Sequence, residues 1–500
     1  MTQAAPATSG YINESNLNDL PADVSVPLYD RSTLTSGIVH IGVGNFHRAH
    51  QALVIDRLLR LGEARDWSIT GVGLLPSDET IIRSLQAQDG LYTLVEKSPE
   101  GHWDYTVIGS LREVFLLHDG VDNVLAHLTD PEVRIVSLTI TEGGYNNDPV
   151  TGAFMLDTSA VAMDLGHGVQ PQTVFGLVTE ALARRRAAGF PPFTVMSCDN
   201  IQHNGDFAKS MFIAFAREKD SDLADWIDSA VAFPNSMVDR ITPVTTQVDR
   251  EVVSSHLGIS DSCPVLCEPF FQWVVEDNFP TGRPPWELVG VQVTEDVAPY
   301  EKMKLRLLNA SHQGLAYFAH LMGYEYVHDA AQDPLIATFL HRYMDEEATP
   351  TLDSLPGVDL EHYKSELIER FANPQVRDTV ARLAAESSDR IPKWLLPVVR
   401  ERLKHGGSVA LSAAIVASWA RYAEGIDEDG RDIDVVDPLR DELIPIARMQ
   451  DDDPTAFIEN RALFGDLVDH QGFRDPYVET LSHLKSNGAR ATLAWILGHS

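Results

Sequence analysis

A chain of 500 residues, 44% hydrophobic and 22% charged, has room for a sizeable core and for two or more domains. Its 73 acidic against 39 basic side chains leave a formal net charge of -34, a field that repels nucleic acid and anionic membrane surfaces. Three cysteines, Cys198, Cys263 and Cys267, cannot build a disulfide framework. With no basic-then-apolar leader and no apolar run of about eighteen residues, the expectation is a cytoplasmic protein that does not enter a membrane.

Residues 1 to about 36 are polar and dotted with proline, and read as an arm lying on a domain surface. An apolar strand from Gly37 then runs into Gly42-Val-Gly44-Asn45-Phe46-His47, which opens onto a helix expected over Ala49 to Leu61 and closed by Gly62. Strand, Gly-x-Gly, helix is the context of a dinucleotide site. Gly42 permits the tight turn, and Gly44 lets backbone N–H groups approach a pyrophosphate at the helix N-terminus. His47 stands where the usual pattern has a third glycine, and a plain strand–helix turn fits the same residues. A second strand, Ser68 to Leu75, leads to Asp78. An acidic side chain there would hold a ribose 2′-hydroxyl and favour NAD over NADP, while a helix N-cap beside Ser77 fits the position equally well.

Alternation over Leu91 to Val95 and Trp103 to Ile108 predicts a hairpin or sheet extension. Val133 to Ile140 reads as a buried strand ending in Thr141-Glu142-Gly143-Gly144-Tyr145. A helix over 171–188 precedes a strand, Phe193 to Cys198, that delivers Asp199-Asn200 in the same manner. Open α/β sheets place their ligands at such strand ends. A mixed β segment is expected at about 264–275, and Leu288 to Val293 is the next apolar run. From Pro299 onward helical patterns follow one another, at about 301–322, 333–345, 359–372, 375–386, 394–404, 408–424, 438–448 and 475–487, with no convincing strand. The acidic stretch Asp427 to Asp437 reads as a solvated connection. The expected architecture is therefore an α/β Rossmann-type domain with a mixed sheet extension over 1–297, then a mostly α-helical domain over 298–500.

At the junction lies Lys304-Leu-Arg-Leu-Leu-Asn309-Ala-Ser-His312, in a run stopped by Gly323. At about 100° per residue, Asn309 lies roughly 140° and His312 roughly 80° around from Lys304, so one wide face carries all three among leucines. A snorkelling lysine on a partly exposed helix fits the same pattern.

Three segments resemble the polyol-specific long-chain dehydrogenases/reductases: Gly42-x-Gly44-x-Phe46-His47-Arg48-x-His50-Gln51, Thr139-x-Thr141-Glu142-x-Gly144-Tyr145, and Lys304-x4-Asn309-x2-His312. The resemblance runs from about residue 20 to 490. It implies an N-terminal Rossmann-type domain, a helical C-terminal domain, NAD as cofactor and no catalytic metal. Carried over residue by residue, it makes Lys304 the general base and Asn200 and Asn309 the amides on the reacting oxygen. His312 is bonded to the substrate nearby, and Glu142 exchanges the proton with solvent. Asp239, Arg382 and Arg390 contact the substrate. Gly42, Gly44, Asn45, Phe46, His47 and Asp78 bind the cofactor. The family often has Asp-Gly where Glu386-Ser387 stands and lysine where Arg390 stands.

The residue types suit the oxidation of a secondary alcohol, in which a base removes the hydroxyl proton while hydride leaves carbon for a nicotinamide. A lysine base near neutral pH needs apolar surroundings that disfavour its ammonium, and two amide donors would stabilise the alkoxide. Cys263-x3-Cys267 and His47-x2-His50 have no partner at metal-site spacing, so no metal is expected. The resemblance implies a reaction that interconverts D-mannitol and D-fructose. Arabinitol, sorbitol or fructuronate as substrate, or a non-catalytic dinucleotide-binding regulator, are the alternatives. The expected partners are a polyol or ketose and at most a weak second copy of the chain, with no nucleic acid.

Overall fold

The computed structural model describes residues 10–148, 151–166 and 168–498. The chain divides into two compact units, Met1–Val297 and Ala298–Ser500.

The strands of the first unit are β1 (Val24–Ser25), β2 (Ser36–Ile41), β3 (Ser68–Gly73), β4 (Tyr92–Lys97), β5 (Trp103–Ile108) and β6 (Leu111–Leu116), then β7 (Ile135–Leu138), β8 (Thr194–Ser197), β9 (Ser236–Asp239), β10 (Val265–Cys267), β11 (Gln272–Glu276) and β12 (Gln292–Thr294). Five of them form an all-parallel sheet in the order β6-β3-β2-β7-β8. Counting only these five, the order is 3-2-1-4-5, that of a Rossmann sheet without its sixth strand. The strands are apolar on both faces because both faces are covered. Ile38, Ile69, Ile135 and Met196 point into one core with the helix Gln51–Arg60, whereas Val39, Val72, Val136 and Val195 point into the other with the helix Val174–Ala188. Thr173 caps that second helix by accepting from Gly176 N, and Gly189, at φ +75°, closes it. It starts later than the expected residue 171 because the Asp164 carboxylate takes the amides of Gln172 and Thr173.

The sheet extension is mixed, as expected. β4 and β5 form the antiparallel hairpin, with β1 and β10 added in parallel as β1-β5-β4-β10. A smaller sheet, β12-β11-β9, completes the unit. The N-terminal arm is stitched in rather than merely laid on. Ile12 is buried, β1 pairs with β5, and buried Arg31 donates to the carbonyls of Asp89, Gly109 and Leu111.

The second unit is helical, with only isolated bridges among its described residues. Its centre is the helix Ala310–Leu321, packed against Ala410–Tyr422. Buried Glu347 accepts from Leu411 N, Ser412 N and Ser412 Oγ, satisfying amides at the start of that partner helix; burial pushes its carboxyl up to about 7. Some stretches differ from expectation, among them the C-terminal helix, which runs Gln471–Gly498 with a kink at Gly488 instead of 475–487. The stretch 375–386 holds only the short helix Val380–Ala384, and a second helix, Ser387–Trp394, follows a left-handed Glu386. The acidic connection 427–437 is not wholly solvated, since Ile433 and Val435 are buried.

Candidate active site

In the first unit the candidates gather at the carboxyl edge of the parallel sheet. β2 delivers the glycine turn, β3 delivers Asp78, β7 delivers Glu142 and β8 delivers Asn200. The connections reverse direction between β2 and β7, the switch point where open α/β sheets bind ligands.

Gly42 is required by its surroundings. Its φ is +97°, and a Cβ there would lie 2.1 Å from the carbonyl oxygen of Thr139. Gly44, at φ −83°, needs no special backbone; its contribution is open space, since a Cβ would meet nothing nearer than Gly42 O at 4.0 Å. The helix begins at once, as Asn45–Ala49, four residues before the expected start at Ala49, and breaks at His50 before Gln51–Arg60. Its first intrahelical bond runs from Arg48 N to Gly44 O, so the amides of Asn45, Phe46 and His47 have no partner within the helix. The set suits a pyrophosphate: an open glycine, a close strand and forward-facing amides.

The earlier start has a visible cause in His47. Its ring is buried and stacks on His40 of β2, with centroids 3.4 Å apart and planes within 10°. The side chain of His47 is thus packed under the turn, and only its amide belongs to the anion-binding set. Burial holds His40 down to about 3 and His47 well below the usual imidazole range, so both rings are neutral. His40 Nε2 lies 3.0 Å from Gly42 O and 3.0 Å from Thr139 Oγ1, and Nδ1 lies 2.8 Å from Ser137 Oγ. Ser137 Oγ is 2.8 Å from the Gln51 amide oxygen, while Gln51 Nε2 is buried without a partner among the described residues. Turning that amide over lets Nε2 donate to Ser137, Ser137 to His40 Nδ1, and His40 Nε2–H to Gly42 O, and leaves the amide oxygen where Nε2 has no partner.

Asn45 Oδ1 accepts from Arg48 Nη2 at 2.6 Å, and Phe46 stacks on His50. Asp78 is half-buried, and its Oδ2 accepts from the amides of Leu74 and Leu75, both at 2.9 Å. It therefore closes the turn after β3 and does not cap the following helix with its side chain. Glu142 sits exposed in a single helical turn, Thr141–Gly144, and Asn200 is exposed just past β8. Asp239 is buried at the end of β9. Next to it, buried Arg240 donates to Glu268 O and to Ala49 O at 2.7 Å, tying β9 to the end of the helix behind the glycine turn.

In the second unit Lys304 ends the helix Ala298–Lys304, and the chain then makes a π-helical turn, Leu305–Asn309, before Ala310–Leu321. Ala310 N donates to Leu305 O, five residues back. The even 100° spacing used on the sequence therefore fails here. A five-residue turn stacks Asn309 more nearly over Lys304, drawing the two together on one side of the helix. Lys304 is 7% exposed and Asn309 5%; Asn309 Oδ1 has no hydrogen-bond partner among the described residues. The π turn is held from outside. Tyr343 OH donates to Arg306 O at 3.1 Å, and Arg306 Nη1 reaches Glu401 at 2.6 Å and Thr351 O at 2.9 Å. His312 is half-buried against Phe371, ring centroids 4.2 Å apart.

The segment bearing Arg382 and Arg390 docks on the same helix: Gln313 donates to Leu383 O, and Tyr317 OH to Ser387 Oγ. Arg390 spends its guanidinium on the carbonyls of Arg382 and Leu383 and on Glu386, which makes it a latch for this segment. Arg382 pairs with Asp378 and keeps 61% of its side chain exposed. Among the described residues, no three His, Cys, Asp or Glu side chains converge as a metal site, and no helix is long and apolar enough to cross a membrane.

Sequence reasoning assigned no role to three residues near this edge: His40, Asp199 and Arg240. A histidine inside an otherwise apolar strand and a carboxylate beside Asn200 were visible signals. The reach of Arg240 to Ala49 was not.

Residues 36–288 match the family model of the mannitol dehydrogenase Rossmann domain, and residues 296–485 that of the mannitol dehydrogenase C-terminal domain. The chain is 41% identical over 500 residues to mannitol dehydrogenase DSF1 of Saccharomyces cerevisiae, covering 99% of each. It is 41% identical over 493 residues to a mannitol 2-dehydrogenase of Aspergillus fumigatus, covering 96% of this chain and 98% of the other. Among solved structures, a Pseudomonas fluorescens mannitol 2-dehydrogenase in ternary complex with NAD and D-mannitol is 42% identical with a TM-score of 0.84, over 98% of this chain and 100% of that one. A substrate-free D-sorbitol dehydrogenase is 38% identical with a TM-score of 0.91, over 97% and 100%.

Proposed function

Since the chain belongs to the mannitol dehydrogenase family, we propose that it is an NAD-dependent mannitol 2-dehydrogenase that interconverts D-mannitol and D-fructose without a metal. The observation that carries this reading is the full-length likeness, at 42% identity, to a chain whose structure is a complex with NAD and D-mannitol.

In this reading the glycine turn and the amides of Asn45, Phe46 and His47 hold the pyrophosphate, and Asp78 offers its Oδ1 to the adenosine ribose while Oδ2 keeps the turn after β3. The bound nicotinamide supplies the hydride acceptor. Lys304 takes the proton of the reacting hydroxyl, and its burial is the condition under which an amine gives up its own proton most readily. Asn309 and Asn200 donate N–H groups to the oxygen as charge develops on it, a role worth roughly 3–4 kcal/mol per donor. His312 bonds the neighbouring hydroxyl, and exposed Glu142 passes the proton to solvent. Asp239 accepts from substrate hydroxyls. Arg382 serves the far end of the sugar, where Arg390 holds the segment in shape.

The likeness to a D-sorbitol dehydrogenase, with the higher TM-score, favours a second reading in which the hexitol has another configuration. NADH formation measured with mannitol, sorbitol, arabinitol and mannonate at one pH separates the two. Mannitol as the most efficient substrate supports the proposal, sorbitol supports the second reading, and no turnover with any polyol overturns both.

A further inference from the structure

Between Glu142 and Asn200 lies a buried carboxylate that neither role assignment uses. Asp199, 6% exposed, directly precedes the exposed Asn200. Its own strand end is fixed from both sides. Asp199 N donates to Ser197 Oγ, and Asp199 O accepts from Ile201 N and from Asn204 Nδ2, whose amide also bonds Ser236 of β9. The side chain then reaches across to the neighbouring strand. Oδ1 accepts from Thr141 N at 2.8 Å, and Oδ2 accepts from Ile140 N at 3.2 Å and from the buried Tyr145 OH at 2.9 Å. Burial works against a charge here, and these donors work for it.

The segment gripped in this way is one that would not keep its shape unaided. Thr141 has φ +63°, a left-handed conformation that is an outlier for a β-branched residue. Such backbone persists where its surroundings over-determine it, and these cases cluster at functional sites. Two successive amides on one carboxylate, with Tyr145 closing the turn from its far end, are that determination. An asparagine could not replace it, because one of its two terminal atoms is a donor and would face an amide N–H.

We infer that Asp199 is a positioning residue whose carboxylate clamps the end of β7 to the end of β8 and so sets Glu142 and Asn200 at their working separation. The inference rests on the roles proposed above for those two residues. It adds that the strained turn at Thr141 exists to present Glu142, and that one buried side chain holds both strand ends.

The test is a mutant cycle on the full-length enzyme with Asp199→Asn, Glu142→Gln and Asn200→Ala, reading kcat and its pH profile, the NADH Kd by fluorescence quenching, and amide exchange at Thr141. Asp199→Asn is expected to lower kcat by up to about a hundredfold, the cost of misplacing reacting groups by about 1 Å. Its pH profile should move toward that of Glu142→Gln, amide exchange at Thr141 should rise without cofactor, and the NADH Kd should stay within about twofold. In the Glu142→Gln/Asn200→Ala background the same substitution should cost less than about threefold, because its effect is carried by residues already removed. A loss that multiplies in full in that background, or an NADH Kd that rises as far as kcat falls, overturns the inference. Wild-type rates in both Glu142→Gln and Asn200→Ala would instead fail the role assignments, and with them the inference. Should Asp199→Asn not fold, Tyr145→Phe removes one donor and leaves the carboxylate. It should lower kcat several-fold at constant NADH Kd, and an unchanged kcat overturns the clamp.

Discussion

His40 and His47 lie face to face beneath the glycine turn, 3.4 Å between ring centroids, with both imidazoles buried and neutral. The folded value for His40, about 3, is far below the 6.5 of an exposed ring, so protons bind the unfolded chain more readily than the folded one. A depressed value contributes stability that is complete above pH 6.5 and is lost as pH falls toward 3. A depression of this size amounts to roughly 5 kcal/mol over that window, with about 2 kcal/mol gone by pH 5. The wild-type melting temperature should therefore fall more steeply between pH 7 and 5 than that of His40→Asn. Parallel curves would show that these rings do not set acid stability. Because His40 Nε2 bonds Gly42 O, the same variant should also bind NADH more weakly at pH 7.

Lys304→Ala should abolish turnover while leaving the NADH Kd within about twofold of wild type. The lysine precedes a π turn that draws it toward Asn309, and neither residue belongs to the unit that carries the glycine turn. Loss of a general base costs about a hundredfold to ten-thousandfold. A variant that kept a tenth of the wild-type rate at saturating substrate would remove Lys304 from the base role.

Asp78 invites a finer test than deletion, because its Oδ2 closes the turn after β3 through Leu74 and Leu75. Asparagine keeps an oxygen for those two amides and removes the charge that would repel a 2′-phosphate. Asp78→Asn should narrow the ratio of kcat/KM for NAD over NADP by about tenfold or more, a change of roughly 1.4 kcal/mol, with little change in melting temperature. An unaltered ratio would assign cofactor choice to another residue.

The parts of this fold that were legible in the sequence rest on local signals: apolar runs, turn glycines and a change of period near residue 298. These place β2, β3, β7 and β8 and the lysine helix to within a few residues. What was not legible depends on which side chains meet in the folded chain. The π turn needs Tyr343 and Glu401 to hold Arg306, 37 and 95 residues away, and no helical period announces it. The early helix start at Asn45 goes with His47 folding back to stack on His40 of the strand just before it. Arg390, which the resemblance makes a substrate contact, donates to carbonyls of its own segment. Side-chain chemistry predicts what a residue can do, and tertiary context decides whether it is free to do it.

Long dialysis against a strong chelator should leave activity unchanged, since amide donors are proposed to do at the reacting oxygen what a metal would do elsewhere. Activity lost on dialysis and restored by zinc would replace the proposed mechanism with a metal-assisted one.

Substrate choice turns on charge. A neutral ketose such as fructose needs many hydrogen-bonding groups and no fixed counter-charge, whereas a sugar acid needs a cation against its carboxylate. Asp239 would repel a carboxylate held beside it. Both candidate cations are already engaged, Arg382 by Asp378 and Arg390 by carbonyls and Glu386. A formal net charge of -34 further slows the approach of an anion. Fructose should therefore be reduced with the higher kcat/KM, and the margin over fructuronate should shrink as salt screens the field. Efficient reduction of fructuronate at low salt would mean that Arg382 leaves Asp378 for the substrate, and would move the chain to the sugar-acid branch of its chemistry with the lysine mechanism intact.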